Sequence, residues 1–261
     1  MTPSPSTPDQ VRPPRVSVVD LDMTYGNLVI QRNLSFTVRP AEIFVVMGGS
    51  GSGKSTLLRH LVGLKAPARG DVLYDGQSLW TADPGEREDM MRRVGVVYQR
   101  NALWSSLTLA ENVGLLLEEF TDLGDHEIRD AAALKLALVG LAGFEDFYPS
   151  EVSGGMEKRA ALARALALDP ETLFLDEPST GLDPISARLL DDLILDLRDA
   201  LGTTVVVVTH DLASIQAIGD NSVFLDPEAK TMTAHGSPKA LLANPPHPKV
   251  RAFLTREPIS R

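Results

Sequence analysis

Apolar residues recur along this chain at two spacings, which together predict an alternation of strands and helices. Alternating apolar and polar positions at residues 16–21 and 33–38 predict half-buried strands. Runs at 42–47, 172–175 and 203–209, which are apolar except at their ends, predict strands that are buried on both faces.

Shorter strands and a set of helices complete the pattern. Further strands are predicted at 70–74 and 94–98, and a closing antiparallel hairpin at 223–225 and 231–234. Apolar residues three and four positions apart predict helices at 55–64, 109–120, 126–139, 153–168, 185–201 and 249–255. Strands that alternate with helices favour an α/β fold, with a mostly parallel sheet flanked by helices and an antiparallel β edge.

The domain organisation follows from changes in composition. Between residues 101 and 150 valine gives way to Leu, Ala, Glu and Asp at helical spacing, which predicts a helical subdomain at about 100–165 inserted into a domain spanning 15–243. The proline-rich tail at 1–14 has few apolar residues to bury and is expected to be disordered. Residues 244–261 are interpreted as a short C-terminal extension.

Charge and composition narrow the classes of function. The 261 residues include 35 acidic and 25 basic ones, so the formal net charge is −10 at pH 7, and such a surface repels both nucleic acid and anionic lipid. The chain has no cysteine, which excludes disulfides and cysteine nucleophiles. No apolar run approaches the roughly 20 residues of a spanning helix, and the N-terminus lacks the apolar centre of a signal peptide. We therefore expect a cytoplasmic chain that reaches a membrane only through a protein partner.

A glycine-rich segment joins the predicted strand at 42–47 to the predicted helix at 55–64. It reads Gly48-Gly49-Ser50-Gly51-Ser52-Gly53-Lys54-Ser55, the phosphate-loop form of Gly, four residues, then Gly-Lys-Ser. The glycines leave backbone N–H groups open to phosphate oxygens, and the helix N-terminus adds a positive partial charge. Lys54 is expected to reach the β- and γ-phosphates, and Ser55 to ligate Mg²⁺.

Two carboxylates, Asp176 and Glu177, end the apolar run at 172–175. A carboxylate at the end of a strand beside a phosphate loop can hold the Mg²⁺ shell, which is the role expected of Asp176. Because side chains alternate along a strand, Glu177 faces another direction and is expected to polarise the water that attacks the γ-phosphate. Together with the glycine-rich segment, this pair predicts a nucleoside triphosphatase.

A second candidate phosphate-binding element is the segment Ser153-Gly154-Gly155-Met156, at the start of a predicted helix. Ser153 is a good N-cap, and the two glycines leave backbone N–H groups exposed. An ordinary capped helix is the alternative interpretation. However, the chain has one phosphate loop, which its own helix already serves, so a second such element is best explained if it faces the nucleotide of another copy. This hypothesis predicts a head-to-tail dimer with two ATP molecules at the interface.

With these motifs in this order, residues 16–234 resemble the nucleotide-binding subunits of ATP-binding cassette (ABC) transporters. The resemblance implies the P-loop NTPase fold of ABC ATPases, with an inserted helical subdomain, and it implies nucleotide contacts that extend to Thr56. It implies that Tyr25 stacks on adenine and that Gln99 senses Mg²⁺ and the attacking water and links to the membrane partner. It also places Asp183 in a loop that crosses the dimer interface and gives His210 contact with the γ-phosphate.

Two positions depart from the general family pattern. The signature Leu-Ser-Gly-Gly-Gln reads Val152-Ser153-Gly154-Gly155-Met156 here, and Gly49 stands where many members carry Pro. Neither change removes a phosphate ligand. The Gly-Gly-Met form resembles ATPases of the Mla/Mce-type lipid transport systems. So do the ending at residues 234–254 and the segment Asn101-Ala102-Leu103-Trp104, which resembles their Gly-Ala-Leu-Phe with Asn in place of Gly.

These resemblances imply an ATPase that dimerises on ATP at the inner face of the cell membrane and drives integral permease subunits that move phospholipid or a related lipid. An Mce-domain lipid-binding protein is a further implied partner, and neither nucleic-acid binding nor direct membrane insertion is expected. The helical subdomain would transmit movement to the permease, with Ala102, Leu103 and Trp104 as candidate contacts. The sequence equally allows Trp104 to be a core residue of that subdomain.

Three alternatives differ in class. The first is the ATPase of an importer for an amino acid or another small solute. The second is a soluble ABC ATPase of translation or DNA repair, which is disfavoured because such proteins usually carry two cassettes or a long insertion. The third is a nucleotide-binding module without hydrolysis, which conflicts with the presence of Glu177 and His210.

Overall fold

The structure, a computed structural model, describes residues 13–99 and 102–257. Most of the predicted tail, Asn101 and the end of the predicted C-terminal extension therefore lie outside the described residues. The strands are β1 (Val16–Tyr25), β2 (Leu28–Val38), β3 (Ile43–Met47), β4 (Arg69–Tyr74), β5 (Gln77–Ser78), β6 (Val94–Val97), β7 (Thr172–Asp176), β8 (Thr204–Val208), β9 (Asn221–Asp226) and β10 (Thr231–Gly236). The helices are α1 (Lys54–Leu61), α2 (Pro84–Arg92), α3 (Leu109–Phe120), α4 (Asp125–Leu138), α5 (Gly154–Ala165), α6 (Pro184–Leu201), α7 (Leu212–Ile218), α8 (Pro238–Ala243) and α9 (Pro248–Thr255), and a 3-10 turn covers Pro149–Glu151.

A six-stranded sheet forms the centre of the fold, with the strand order β10-β9-β3-β8-β7-β6. The five strands from β9 to β6 pair in parallel, and β10, at the edge, pairs with β9 antiparallel. Every residue of β3, β7 and β8 is buried, as the mainly apolar runs predicted. The predicted α/β class and the antiparallel edge are thereby confirmed.

The carboxyl ends of three central strands meet at one edge of this sheet. Val46 lies opposite Val208, and Asp176 also lies opposite Val208, so β3, β8 and β7 end side by side. The glycine-rich segment follows β3, Glu177 follows β7 and His210 follows β8 by two residues. Parallel strand order therefore collects three sequence-distant motifs at the edge where open α/β sheets bind ligands.

A separate four-stranded antiparallel sheet, in the order β2-β1-β4-β5, covers one side of the central sheet. The sequence pattern predicted the first strand only as far as residue 21, whereas β1 continues to Tyr25. The difference has a physical cause: register shifts between Val18 and Leu21, and again between Leu21 and Met23, interrupt the pairing with β2. Such irregularities change which side chains point inward, so simple alternation does not continue across them.

The other side of the sheet carries the helical region. Helix α3 has the predicted bounds, and a reciprocal capping box fixes its start: Thr108 Oγ1 accepts from the Glu111 N–H, and Glu111 Oε2 accepts from the Thr108 N–H. Helices α3, α4 and α5 share a hydrophobic core with β6, β7 and β8. The inserted subdomain's bounds, at about 100–165, stay a prediction.

Several elements were not predicted from the pattern, namely β5, α2, α7 and α8. In α2 the single buried residue is Met90, so no apolar stripe marks it as a helix. Helices α7 and α8 have seven and six residues, which is too short for a clear periodicity. Helix α1 ends three residues before the predicted 64 because Gly63 adopts φ 74°, and α5 stops at Ala165, ahead of Pro170.

Candidate active site

A cavity of about 750 Å³ opens at the carboxyl edge of the central sheet. Its lining contains most of the nucleotide-contacting and catalytic residues predicted from the sequence, together with four residues that were not predicted. The lining residues are Ile30, Gly49, Ser50, Gly51, Ser52, Gly53, Lys54, Ser55, Thr56, Gln99, Glu177, His210, Leu212, Phe253 and Arg256. The structure therefore brings the glycine-rich segment, Gln99, Glu177 and His210 into one site.

Two glycines of the loop are favoured by its geometry. Gly48 has φ 154°, and a Cβ atom there would lie 2.6 Å from the Leu225 carbonyl oxygen. Gly53 has φ 91°, and a Cβ atom there would lie 2.6 Å from Ile30 Cγ2. At Gly48 the Cβ atom would collide with backbone, and at Gly53 it would force Ile30 to shift in a backbone conformation that side chains rarely adopt, so both positions favour glycine. Between them the Ser52 N–H donates to the Gly49 carbonyl at 3.2 Å, which closes a turn around the cavity floor.

Lys54 begins helix α1 and folds back over the loop. Its Nζ donates to the carbonyl oxygens of Gly48, at 3.0 Å, and Gly49, at 3.3 Å. Burial lowers the pKa of Lys54, while the carboxylates of Glu177 and Asp176 act in the opposite direction. The ammonium group is thus held at the cavity by neutral acceptors that a phosphate oxygen can replace.

Ser55 and Asp176 form an oxygen pair that suits Mg²⁺. Ser55 Oγ donates to Asp176 Oδ1 at 3.3 Å, and burial raises the pKa of Asp176. Among the described residues, no Lys or Arg forms an ion pair with Asp176, and no group of three His, Cys, Asp or Glu side chains could hold a metal alone. Mg²⁺ commonly binds one or two protein carboxylates plus substrate phosphates, so a hydroxyl and a buried carboxylate beside a phosphate loop fit this ion.

Glu177 is held in a strained backbone conformation directly after β7. Its φ is 50°, in the left-handed region that a residue with a side chain adopts at a cost, and its N–H donates to the Val208 carbonyl at 2.8 Å. The carboxylate is buried; Oε1 lies 2.8 Å from His210 Nδ1, and Oε2 accepts from Thr180 Oγ1 at 3.4 Å. Because an ionised carboxylate only accepts, Nδ1 of His210 carries the proton and Nε2 is left for another partner.

A polar network adjoins His210 and begins at the next residue, Asp211. Asp211 caps α7 by accepting from the Ala213 N–H at 3.0 Å, and its other oxygen receives contacts at 3.4 Å from Ser179 Oγ and Ser214 Oγ. Ser214 Oγ also lies 3.0 Å from Asp191 Oδ2. Asp191 is buried on α6, and burial raises its pKa to about 6. The network links the segments after β7 and β8, which carry Glu177 and His210.

Gln31, on β2, supports the phosphate loop through a hydrogen bond. Its side chain is fully buried, and Nε2 donates to the Ser52 carbonyl at 2.8 Å and to the Asp226 carbonyl at 3.1 Å. One amide group therefore ties the loop to the end of β9. Nothing in the local sequence pattern marked this glutamine, because its two partners lie far from it along the chain.

Tyr25 lies outside the cavity lining. Its hydroxyl accepts a hydrogen bond from Arg59 Nη1 at 3.0 Å, and the Lys65 ammonium group lies 3.0 Å from the ring centroid. The cation–π contact covers one face of the ring. The stacking of adenine on Tyr25 stays a prediction, and in this arrangement the adenine would use the opposite face.

Ser153, Gly154, Gly155 and Asp183 are also outside the cavity. Ser153 and Asp183 are the N-caps of α5 and α6, and their side chains accept from the N–H groups of Met156 and Ile185. The two helix starts are adjacent, since a Cβ atom on Gly155 would lie 3.4 Å from Ser186 Oγ. These residues thus lie together and do not line the cavity that contains the phosphate loop of their own chain, which is compatible with the hypothesis of a site shared between two copies. That sharing stays a prediction.

The loop before α3 presents Trp104 to solvent. The Trp104 side chain is 62% exposed, which excludes the alternative that it is a core residue. Fully buried Asn112 holds the loop: Oδ1 accepts from the Trp104 N–H at 2.7 Å, and Nδ2 lies 2.9–3.1 Å from the carbonyl oxygens of Leu107, Thr108 and Trp104. Ala102 is exposed and Leu103 is half-buried.

The four cavity residues that sequence reasoning missed are Ile30, Leu212, Phe253 and Arg256. Ile30 could have been found from the strand pattern only by knowing that β2 begins at residue 28 and passes beside the loop. Phe253 and Arg256 lie in the C-terminal region, and no local motif connects that region to phosphate chemistry. Their position follows from the packing of α9 against β3 and β9.

A family model and the sequences of curated relatives both indicate the same protein family for this chain. Residues 31–180 match the family model described as ABC transporter. The phospholipid transport ATP-binding protein MlaF of Escherichia coli K12 is 41% identical over 239 residues, which cover 92% of this chain and 88% of MlaF. The probable ribonucleotide transport ATP-binding protein mkl of Mycobacterium tuberculosis H37Rv is 38% identical over 92% of this chain and 66% of its own length.

Solved structures of ABC cassettes have the same fold. The cassette MJ0796, in a dimeric post-hydrolysis state bound to ADP and Pi, superposes with a TM-score of 0.77 at 30% identity, over 85% of this chain and 98% of that chain. The protein cbiO1 from Clostridium perfringens, part of the ABC transporter complex cbiONQ, superposes with a TM-score of 0.81 at 27% identity over 94% and 97% of the two chains. Within the part of the chain that the structure describes, none of the helices has the length and apolar character needed to cross a membrane.

Proposed function

Because this chain belongs to the ABC transporter family as an ATP-hydrolysing subunit, we propose that it drives a permease that moves phospholipid. The observation that carries the cargo assignment is its 41% identity to MlaF over 92% of the chain, since the name of that relative specifies phospholipid transport. The sequence features that resemble the lipid systems, the Gly-Gly-Met signature and the segment ending at Trp104, point the same way.

ATP lies in the cavity at the carboxyl edge of the sheet. The backbone N–H groups of residues 48–56 and the start of α1 meet the phosphates, and Lys54 exchanges its carbonyl partners for β- and γ-phosphate oxygens. Tyr25 supports the adenine. Ser55, Asp176 and Gln99 would hold Mg²⁺, which when bound neutralises charge on the phosphates.

Hydrolysis depends on Glu177 and His210. Glu177 is buried beside the phosphate loop and accepts the proton of the attacking water, or orients that water, in line with the γ-phosphate. His210 donates through Nδ1 to Glu177, so Nε2 faces outward, available to the γ-phosphate. Gln99 lines the same cavity and senses whether nucleotide, water and permease are in place.

Two copies of the chain complete two sites. The adjacent helix starts at Ser153 and Asp183 supply N–H groups and a cap to the nucleotide of the partner copy, and ATP closes the pair. The dimeric state of the related cassette MJ0796 supports this assembly. The exposed Trp104, with Ala102 and Leu103, gives the permease a contact surface that is connected to Gln99 by a short segment.

The pair works on the cytoplasmic side, with an Mce-domain lipid-binding protein as a further partner. A net charge of −10 disfavours direct attachment to anionic lipid, so the permease provides the attachment.

A second candidate cargo is a small polar solute. The name of mkl, which specifies ribonucleotide transport, favours keeping that candidate.

One experiment separates these cargoes. The tagged chain is purified from gently solubilised membranes, and the accompanying proteins and lipids are identified by mass spectrometry. A permease together with an Mce-domain protein and bound phospholipid is the expected result. A permease with a solute-binding protein and no enriched lipid would overturn the lipid assignment, and recovery without any membrane protein would overturn the transport role.

A further inference from the structure

We propose that Arg256, the residue that follows helix α9, binds the phosphate chain of the nucleotide as a second cation beside Lys54. The proposal rests on the assignment of the cavity as the ATP site and adds to that site a residue from the far end of the chain. The ligand it recognises is the oligophosphate group, not the base or the sugar.

The position of Arg256 is the first argument. It is exposed and lines the same cavity as the phosphate loop, and among the described lining residues Lys54 and Arg256 are the two that carry a Lys or Arg side chain. Within residues 13–99 and 102–257, no carboxylate or carbonyl oxygen pairs with its guanidinium group. By contrast, Arg251 on α9 has a partner, since its Nε lies 3.6 Å from Glu257 Oε2.

The backbone of Arg256 is the second argument. The residue ends α9 in the left-handed conformation, with φ 58° and ψ 21°. Glycine reaches this conformation without cost, and helices commonly end with a glycine there. The end of a helix therefore accounts for the left-handed backbone at residue 256, but it does not account for the presence of arginine there. Residues other than glycine that are held in such strained conformations concentrate at functional sites.

Packing of α9 on the strands that form the site fixes where Arg256 lies. Val250 and Leu254 are buried in a cluster with Val45 and Met47 of β3, the strand that leads into the phosphate loop. Phe253 also lines the cavity, and its ring lies 5.3 Å from that of Phe224 on β9. The helix is therefore part of the wall of the site.

A chain of polar contacts connects α9 to the phosphate loop itself. Lys249 Nζ lies 3.0 Å and 2.9 Å from the two carboxylate oxygens of Asp226, whose side chain is buried. The Asp226 carbonyl accepts from Gln31 Nε2, which also donates to the Ser52 carbonyl. Helix α9 and the loop thus share one buried support, which holds Arg256 in a defined relation to the bound phosphates.

The chemistry of the ligand favours arginine at this position. A triphosphate carries several negative charges, and a planar guanidinium can donate two parallel hydrogen bonds to phosphate oxygens, whereas a lysine acts as a single charged point. On a chain with net charge −10, a second cation at the cavity also offsets the repulsion of an anionic ligand.

The test compares two charge-removing variants of the full chain, R256Q and R251Q. Both remove one positive charge near α9, but Arg251 is paired with Glu257 and lies outside the cavity lining. Binding of mant-ATP is followed by fluorescence, and inorganic tripolyphosphate is used as a competitor that lacks base and sugar. We expect R256Q to weaken both ligands by about tenfold, the effect of one hydrogen bond to a charged group, and R251Q to leave both unchanged.

A third variant, R256G, separates binding from folding. Glycine relieves the left-handed backbone, so R256G is expected to melt at or above the wild-type temperature while binding mant-ATP as weakly as R256Q. Wild-type affinity in R256Q and R256G would overturn the proposal, and so would an equal loss in R251Q. If R256Q binds mant-ATP as wild type does but forms dimers less readily, the proposal would also be overturned, because Arg256 would then contact a second copy of the chain and not the phosphates.

Lys54→Ala distinguishes failure of the arginine's role from failure of the site. If K54A loses mant-ATP while R256Q keeps it, the phosphate loop binds the nucleotide and only the proposal for Arg256 is overturned. If K54A binds as wild type does, the ATP-site assignment is overturned together with the proposal.

Discussion

The Nδ1 atom of His210 lies 2.8 Å from Oε1 of Glu177, which joins the residues that follow two neighbouring parallel strands. The contact fixes the proton on Nδ1 and orients the imidazole relative to a buried carboxylate. The candidate base and the candidate γ-phosphate sensor are therefore coupled by a direct contact, and a change at one residue is expected to affect the other.

We expect Glu177→Gln to bind ATP and fail to turn it over. The amide keeps the shape of the side chain but cannot accept a proton, so the ATPase rate should fall by at least about 100-fold, the usual contribution of general-base catalysis. With ATP and Mg²⁺ present, the variant should accumulate as a dimer in size-exclusion chromatography with light scattering. Glu88→Gln, at an exposed carboxylate on α2, is the matched control and should keep wild-type turnover. Normal turnover in E177Q would contradict the role of Glu177.

We expect Ser153→Arg to abolish hydrolysis while nucleotide binding is retained. Ser153 lies outside the cavity of its own chain, so a bulky cation there obstructs the site of a partner copy and leaves the variant's own phosphate loop intact. An equimolar mixture of S153R and Lys54→Ala provides the decisive readout. Each mixed pair contains one damaged composite site, built from both altered residues, and one intact composite site. Partial recovery of turnover in the mixture is expected, whereas loss of mant-ATP binding by S153R alone would contradict the shared-site hypothesis.

We expect Asp191→Asn to stabilise the protein at high pH. Burial raises the pKa of Asp191 to about 6, above its ordinary value near 3.9, so the folded state disfavours the ionised form. The favourable contribution is fully present below about pH 4 and is lost as the pH rises through 6. Asparagine carries no charge at any of these pH values. The free energy of unfolding of D191N should therefore exceed that of wild type by about 3 kcal/mol at pH 8, and the difference should vanish near pH 4.

Chemical denaturation at pH 4, 6 and 8 measures this difference directly. Asp192→Asn, on the exposed side of α6 where it pairs with Arg188, serves as the control and should show little dependence on pH. A gain for D191N that is the same at all three pH values would show that ionisation of Asp191 is not its cause.

We expect Asn112→Ala to loosen the loop that presents Trp104. The substitution leaves the Trp104 N–H and several loop carbonyls without the partner that Asn112 provides, at a cost of about 2–3 kcal/mol in the free energy of unfolding. Faster hydrogen exchange across residues 102–108, with unchanged mant-ATP affinity, should accompany that loss. Trp104→Ala, which removes exposed surface only, is the contrasting variant: stability should hold while association with the permease weakens. Unchanged exchange in N112A would show that the loop is held by other contacts.

The motifs of the site could be predicted from the sequence because each is local. The loop from Gly48 to Ser55 and the pair Asp176-Glu177 carry their chemistry in adjacent residues, and parallel strand order then brings them to one edge. The supports of the site could not be predicted in the same way. Gln31 and Arg256 are isolated polar residues whose partners or neighbours lie far along the chain, and only the packing of β2, β9 and α9 reveals them.

The fold shows the same division between local and distant determinants. The buried strands β3, β7 and β8 are recognisable because each contains a run of consecutive apolar side chains, and α3 is recognisable from its apolar stripe and its capping box. The register shifts in β1 depend on its pairing with β2 and so do not follow from the pattern of a single segment. Helix α2 buries only Met90, so the apolar pattern does not mark it.

Transfer of a fluorescent phospholipid is the most direct test of the central claim. The complex that co-purifies with the chain is reconstituted in vesicles, and lipid movement is followed with ATP and Mg²⁺, for wild type and for Glu177→Gln. The account predicts ATP-dependent phospholipid transfer by the wild-type complex and none by the E177Q complex. Wild-type ATP turnover that moves a small solute but leaves the phospholipid where it was would contradict it.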